Sequence, residues 1–300
     1  MFSGSLVAIV TPMHRDGAID YAAWERLLEL HLASGTTGIV VGGTTGESPT
    51  VTEAELHELL RRAQPRLAGR IALLAGVGGS NTAEVVERTR RLASLPLDGL
   101  LAVTPAYNRP TQEGLHLHFA AIARAASAPV MLYNVPGRTA VDMLPATTAG
   151  LAKLAGIVAV KEALGTVERI RELCALVPQG FEVLSGDDAT ARESVLAGAC
   201  GVVSVTANVA PRAMAAMIAA ARNGDAAEAA RHDAALARLH QALFVEANPI
   251  PVKWVLAEMG LIGEGIRLPL TWLSEQHRAR VRAAMNEAQG SSGHLQAGAA

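Results

Sequence analysis

The 300-residue chain is poor in aromatic residues, lysine and cysteine. Aromatic residues make up 3%, and its three tyrosines are Tyr21, Tyr107 and Tyr133. Of 26 basic residues, three are lysine, at Lys153, Lys161 and Lys253. Because arginine does not deprotonate near neutral pH, any reaction that needs a neutral amine must use one of these three lysines.

Several classes of protein are excluded by what is missing. Cys174 and Cys200 lie far apart with no CxxC or Cys/His cluster, so we expect neither a disulfide framework nor a metal site. His116 and His118 are two apart in a helical segment and so do not share a face. A net charge of −2 without a basic patch argues against nucleic acid. No apolar run approaches the ~20 residues of a membrane span, and the N-terminus lacks the basic start of a signal peptide. We therefore expect a cytoplasmic protein.

What the sequence does contain is a series of short runs rich in Val, Ile and Leu, bounded by Gly or Pro. Such runs without polar alternation are typical of strands buried on both faces of a parallel sheet. Eight are present, at residues 6–12, 38–43, 71–78, 99–105, 129–134, 157–162, 181–188 and 201–208.

Segments with helical periodicity separate these runs, which predicts eight βα units and a (β/α)8 TIM barrel. Thr50 with Glu53 and Thr52 with Glu55 have the spacing of capping boxes at the second helix. A doubly wound sheet is the alternative, but no GxGxxG or P-loop follows the first run. We predict a barrel domain at 1–224, a C-terminal helical region at 225–289 and a disordered tail at 290–300.

Lys161 is the first candidate for chemistry, because active sites of such barrels collect at the carboxyl ends of the strands. It follows four apolar residues, at the end of the sixth run. Burial in an apolar barrel lowers the pKa of an amine, as a Schiff-base nucleophile requires. The alternative is a structural lysine, paired with the neighbouring Glu162.

Hydroxyl groups and an anion-binding loop lie at other strand ends. Tyr133 and Tyr107, together with Thr44 and Thr45, make a proton-transferring hydroxyl chain plausible. The loop GGTTGES offers backbone N–H groups and hydroxyls to a carboxylate. Arg138 could clamp a second carboxylate.

These residues permit carbonyl chemistry without a metal or organic cofactor. A lysine amine would condense with a 2-oxo acid, and hydroxyls would move the protons that form an enamine. The enamine would then attack a second carbonyl compound. We interpret Asp187 and Asp188, which have no basic partner in the sequence, as loop or capping residues.

The chain resembles the dihydrodipicolinate synthases, within the pyruvate-dependent class I aldolases that include N-acetylneuraminate lyase. The segments that carry the resemblance run from the N-terminus to about residue 250: FSGSLVAIVTPM, GTTGES, TPAYNRP, YNVPGRT, KEA, LSGDDA, SVTAN and FVEANPIPVKW. GTTGE and a lysine on the sixth strand are shared across the superfamily. YNVPGRT, SVTAN and NPIPVKW together are more specific to the synthases.

The resemblance implies the site residues and the reaction. Pyruvate and L-aspartate 4-semialdehyde would be condensed toward diaminopimelate and lysine by a homotetramer, a dimer of dimers. Lys161 would form the Schiff base with pyruvate, and Tyr107 would reach in from a neighbouring subunit. The proton relay would comprise Tyr133, Thr44 and Tyr107, and the substrate-binding residues would be Thr45, Arg138, Gly186 and Val203.

Two other functions stay open at this stage. One is an aldolase for a sugar acid such as N-acetylneuraminate, against which Arg138 argues, because a polyol needs hydroxyl partners instead. The other is a non-catalytic barrel that binds a 2-oxo acid.

The chain also departs from the lysine-inhibited synthases. Their allosteric pocket uses a tyrosine, histidines and an asparagine. The corresponding stretch of this sequence offers Ala106, Glu53, Leu56 and Ser80, while Ser48 and Glu84 remain. The resemblance therefore implies weak or absent inhibition by lysine.

Overall fold

Eight parallel strands close into a barrel in their sequence order, with the last strand paired to the first. The computed structural model describes the backbone of residues 1–296 and the side chains of residues 1–290. The strands are β1 Gly4–Ala8, β2 Gly38–Val41, β3 Ala72–Val77, β4 Gly99–Val103, β5 Val130–Asn134, β6 Ile157–Glu162, β7 Glu182–Ser185 and β8 Gly201–Ser204. Each falls within or beside a predicted apolar run, and the closed order confirms the (β/α)8 barrel over the doubly wound sheet.

Helices cover the outside of the barrel and continue beyond it. They are α1 Tyr21–Leu32, α2 Glu53–Leu67, α3 Thr82–Leu92, α4 Gln112–Ala125, α5 Pro136–Thr139, α6 Pro145–Leu151, α7 Val167–Leu176, α8 Ala191–Leu196, α9 Pro211–Arg222, α10 Ala226–Ala242, α11 Ile250–Glu258 and α12 Glu275–Gln296. A 3₁₀ turn, Thr206–Asn208, follows β8. Within residues 1–296, no helix combines the length and the apolar character needed to cross a membrane.

The strands are apolar on both faces because each face meets a different core. Alternate residues point into the barrel or outward beneath the helices. In β6, Ala159 belongs to the cluster inside the barrel, whereas Val160 belongs to the larger cluster under the helices. Lys161 therefore shares the inward face with Ala159, and Glu162 shares the outward face with Val160.

The start of α2 shows one correct and one wrong capping prediction. Thr52 Oγ1 accepts a hydrogen bond from Glu55 N at 3.2 Å, and Glu55 Oε2 accepts one from Thr52 N at 2.8 Å, which is a complete capping box. The pair of Thr50 and Glu53 does not form one. Thr50 lies in the preceding loop, where its hydroxyl donates to Glu47 O at 3.1 Å.

The C-terminal helices pack on the outside of the barrel, where α10 contacts both α9 and α12. Helix α10 has Asp225 as its N-cap, and the division of the chain at residue 225 stays a prediction. Helix α12 continues to Gln296, and the disordered tail at 290–300 stays a prediction. Residues 297–300 lie outside the described residues.

Candidate active site

A cavity of about 480 Å³ lies at the carboxyl ends of β2, β3, β4 and β5. Glycines and a threonine from the β2 loop line one side, and residues of β5 and of the turn after it line another. The residues that line it include Gly42, Thr44, Ser48, Ala106, Tyr133 and Arg138. This is the end at which (β/α)8 enzymes place their active sites.

Lys161 projects into the interior of the barrel beside Tyr133. The two residues are paired in the register of β5 and β6, and Lys161 Nζ lies 4.3 Å from the centroid of the Tyr133 ring. Lys161 is 4% exposed, and none of the described side chains forms an ion pair with it. The amine and the phenol, two groups that the sequence predicted to act together, are therefore neighbours.

The alternative of a salt bridge between Lys161 and Glu162 is wrong, because the two side chains point to opposite faces of β6. Glu162 Oε2 accepts a hydrogen bond from Asn134 Nδ2 at 3.0 Å and lies 3.6 Å from Arg169 Nη1 on α7. Burial raises the pKa of the Glu162 carboxyl, against the opposing hydrogen bond from Asn134. Glu162 thus ties β6 to β5 and α7 on the outer face, behind the lysine.

Gly186 lies against the lysine stem, and Val203 lies in the same barrel interior. Val203 of β8 belongs to the cluster inside the barrel that also contains Tyr133. A Cβ atom at Gly186 would lie 2.9 Å from Lys161 Cε and 3.1 Å from its Cγ. A glycine at this position therefore leaves the room that the lysine stem occupies.

We expect Gly186→Ala to slow the formation of a pyruvate adduct on Lys161 by about tenfold or more, because a displacement of a reacting group by about 1 Å can cost 10²-fold in rate. Borohydride trapping followed over time by mass spectrometry measures this rate. Gly290→Ala is the control, because nothing lies within 4 Å of a Cβ at that position. An adduct formed by Gly186→Ala at the wild-type rate would contradict the close packing against the lysine.

The GGTTGES loop places its two threonines differently. Thr44 lines the cavity and is partly exposed, whereas Thr45 is buried. Thr45 Oγ1 accepts a hydrogen bond from Asn248 Nδ2 at 3.0 Å. Since Asn248 supplies the donor, the orientation of Thr45 depends on the segment that precedes α11.

Arg138 lines the same cavity from the turn after β5. Its Nη2 donates to the backbone oxygen of Asn248 at 3.2 Å. Asn248 therefore contacts both predicted carboxylate-binding residues, Thr45 through its side chain and Arg138 through its backbone.

Tyr107 does not enter the cavity of its own chain. Its side chain is 95% exposed, and its φ of +71° is uncommon for a non-glycine residue. The preceding carbonyl, Ala106 O, accepts hydrogen bonds from Ser80 Oγ at 2.6 Å and from Asn108 N at 2.8 Å. A held backbone thus presents an exposed phenol to its surroundings.

Sequence reasoning missed Asn248 and Lys253, although both stand in the quoted segment NPIPVKW. Lys253 is more deeply buried than Lys161, at 0% against 4% exposed. Lys253 forms an ion pair with Glu47 of the GGTTGES loop. The available signal was a lysine within an otherwise apolar helical segment.

Asp187 and Asp188 hold the backbone around the site, as interpreted from the sequence. Asp187 Oδ1 accepts from Thr190 N at 3.0 Å. Asp188 Oδ2 accepts from Val205 N at 3.0 Å and from Thr206 N at 2.9 Å, which fixes the turn after β8.

The two histidines of the HxH pair differ in burial, and His118 packs inside the protein. His118 is buried, and its Nδ1 lies 2.9 Å from Thr82 Oγ1. Among the described residues, no group of three or more His, Cys, Asp or Glu is arranged to hold a metal ion.

A closed (β/α)8 barrel with an interior lysine at the carboxyl end of a strand, beside a phenol and a Gly/Thr loop, defines a Schiff-base-forming lyase. The chain belongs to the dihydrodipicolinate synthetase family, whose model matches residues 1–288. It is 54% identical over 288 residues to the 4-hydroxy-tetrahydrodipicolinate synthase of Methylococcus capsulatus, which covers 96% of this chain and 99% of that protein. The synthase of the same name from Ectopseudomonas mendocina is 52% identical over 287 residues, covering 96% of this chain and 98% of that protein.

Solved structures agree with this assignment. The chloride-inhibited dihydrodipicolinate synthase of Acinetobacter baumannii, complexed with pyruvate, superimposes with a TM-score of 0.94 at 47% identity, covering 96% of this chain and 99% of that chain. The dihydrodipicolinate synthase of Aquifex aeolicus gives 0.93 at 40% identity, covering 96% of this chain and 98% of that chain.

Proposed function

We propose that the protein condenses pyruvate with L-aspartate 4-semialdehyde, as a 4-hydroxy-tetrahydrodipicolinate synthase in the diaminopimelate and lysine pathway. The observation that carries the proposal is the position of Lys161, buried inside the barrel with its amine 4.3 Å from the Tyr133 ring centroid. The names of the relatives at 52–54% identity support it.

In the proposed reaction, the Lys161 amine attacks the C2 carbonyl of pyruvate and expels water, forming a Schiff base. Loss of a proton from C3 then gives the enamine, whose C3 attacks the aldehyde carbon of the second substrate while the aldehyde oxygen takes up a proton and becomes a hydroxyl. The amino group of that substrate then adds to C2 and the Lys161 amine leaves, which closes the ring and frees the enzyme. Tyr133 and Thr44, both at the cavity, would pass the protons. None of these steps requires an oxidant or a cofactor.

Two carboxylates need separate partners in this reaction. Thr45 and the loop N–H groups would hold the carboxylate of pyruvate, and Arg138 at the cavity would hold that of the semialdehyde. Gly186 and Val203 would border the bound pyruvate. Arg138 also argues against an aldolase for a sugar acid such as N-acetylneuraminate, because the polyol part of that substrate needs hydroxyl partners rather than a guanidinium.

We propose in addition that the active form is a homotetramer in the cytoplasm, a dimer of dimers in which Tyr107 of a neighbouring subunit completes the proton relay. The exposure of Tyr107, together with its held backbone, supports this proposal.

The function is tested by sodium borohydride reduction in the presence of pyruvate, followed by peptide mass spectrometry and an assay with L-aspartate 4-semialdehyde. We expect a pyruvate adduct on Lys161 and turnover of the semialdehyde. Absence of the adduct would remove the mechanism. An adduct without turnover of the semialdehyde would retain the mechanism and overturn the substrate.

We expect L-lysine to bind with a Kd above about 1 mM and to leave the initial rate unchanged. Glu53 is engaged by Arg91, Leu56 is buried against Gly42, and Ser80 donates to Ala106 O, so these side chains are already occupied. Isothermal titration calorimetry and a rate assay with added lysine measure the two quantities. A saturable isotherm with tight binding would refute the expectation.

A further inference from the structure

The loop that carries Thr44 and Thr45 has a backbone shape that its own sequence does not favour. Glu47 adopts a φ of +58°, in the left-handed region that non-glycine residues seldom occupy. Within the loop, Glu47 N donates to Thr44 O at 3.1 Å and Ser48 N donates to Gly43 O at 3.2 Å. A residue in this conformation persists where surrounding contacts hold it.

The Glu47 side chain provides that contact by pointing into the protein. It is 2% exposed, and its Oε1 pairs with Lys253 Nζ of α11, which is 0% exposed. The second oxygen, Oε2, accepts a hydrogen bond from Arg267 N at 3.1 Å. Burial lowers the pKa of the Lys253 amine, while the Glu47 carboxylate opposes this effect.

Further contacts from the same C-terminal region surround the loop. Asn248 Nδ2 donates to Thr45 Oγ1 at 3.0 Å, and Arg267 Nη1 donates to Thr50 O at 2.6 Å. The guanidinium of Arg267 also binds Glu55, which completes the capping box of α2, and this hydrogen bond is the main cause that lowers the pKa of Glu55 to about 2. Residues after the barrel thus contact this part of the chain at Thr45, Glu47 and Thr50.

Stability alone does not explain a buried ion pair at this place. Removing two charges from water is costly, and replacing such a pair by neutral side chains of similar volume is often neutral or stabilising. A buried ion pair can instead serve to hold a functional loop in one orientation, because the groups that bind and convert a substrate must be kept in one geometry.

We propose that the Lys253–Glu47 ion pair is a positioning pair for pyruvate: it fixes the GGTTGES loop so that Thr44 and Thr45 face the substrate beside Lys161. The inference rests on the proposed function, since it assigns the loop to the carboxylate of pyruvate. Neither residue touches the substrate, and each acts through the threonines. The C-terminal helical region is accordingly part of the active-site support.

The test compares Glu47→Gln and the double variant Glu47→Gln/Lys253→Met with the wild type. The glutamine can still accept the Arg267 N–H bond, and the double variant leaves no unpaired buried charge. We expect the pyruvate concentration for half-maximal adduct formation, and the KM for pyruvate, to rise about tenfold or more in both variants. The KM for the semialdehyde should stay within about twofold of the wild-type value, because the hydrogen bond of Arg138 goes to Asn248 O rather than to Glu47.

The matched control is Glu264→Gln. Glu264 also pairs with a barrel residue, Arg15, but both side chains are exposed, so the loss of this pair should change neither KM. Melting temperatures of all variants separate positioning from stability, since we expect the double variant to remain folded.

A double variant with the wild-type KM for pyruvate overturns the proposal, as does an equal rise of both KM values together with a lowered melting temperature. If the double variant does not fold, Glu47→Asp decides, because it keeps the charge but shortens the reach. A rise confined to the pyruvate KM supports the positioning role, and an unchanged value contradicts it. Failure of the proposed function is recognised separately, because the wild-type protein would then form no adduct or would not turn over the semialdehyde. In that case the positioning role would be refuted as well.

Discussion

Replacing Lys161 by arginine is expected to abolish the borohydride-trapped pyruvate adduct and to lower turnover by about 10³-fold or more. A guanidinium keeps a positive charge and some of the length of the side chain, but it does not deprotonate and so does not attack the carbonyl. Peptide mass spectrometry of the reduced protein and a steady-state assay measure the two effects. Because Tyr133 and Gly186 enclose the Lys161 side chain, circular dichroism should be recorded with both measurements to show that the larger arginine leaves the protein folded.

The chain provides a matched control for this substitution. Lys153 is exposed near the beginning of β6, and Lys153→Arg should leave both the adduct and the rate unchanged. An adduct mapped to Lys253 in the wild type, or one retained by Lys161→Arg, would contradict the assignment. Lys253 is not expected to react, because it is fully buried and already paired with Glu47.

Tyr133→Phe is expected to lower turnover by about 10²-fold or more, the usual scale for the loss of a general acid–base group. The ring would still pack beside Lys161, so the substitution removes the hydroxyl and leaves the shape of the barrel interior. Steady-state kinetics together with the rate of adduct formation measure the effect, and both should fall.

Tyr21→Phe is the corresponding control. Tyr21 lies on α1, where its ring packs against the Arg62 guanidinium at 4.4 Å from the ring centroid, and its hydroxyl has no proposed part in the reaction. Near-normal turnover in Tyr133→Phe would show that this phenol only packs against the lysine.

Strands were the part of the fold most predictable from the sequence, because a strand buried on both faces needs apolar residues at every position. All eight predicted runs overlap barrel strands, and the strand ends directed attention to Lys161, Tyr133, Thr44 and Arg138. Helix starts were less certain. Thr50 and Thr52 have the same spacing to a glutamate, and only the path of the β2 loop distinguishes the threonine that caps α2 from the one that binds Glu47 O.

The role of the C-terminal region was not predictable, because the contacts that reveal it join residues about 200 positions apart. Nothing near Lys253 in the sequence points to Glu47, and nothing near Asn248 points to Thr45. Such pairs form only when α11 packs beside the β2 loop.

The sequence by itself determined the eight βα units, the family resemblance and the supply of reactive groups, because apolar periodicity and residue type are local properties. Tertiary structure decided which way those groups point. Closure of the barrel directs Lys161 inward toward Tyr133 and Glu162 outward toward Arg169. Alternate residues of β6 face inward or outward only once the strand is part of the closed barrel. Tertiary structure likewise decided that Lys161 lies beside Tyr133 without an ion-pair partner among the described side chains, while Lys253 is paired with Glu47, because charge pairing depends on distant segments of the chain.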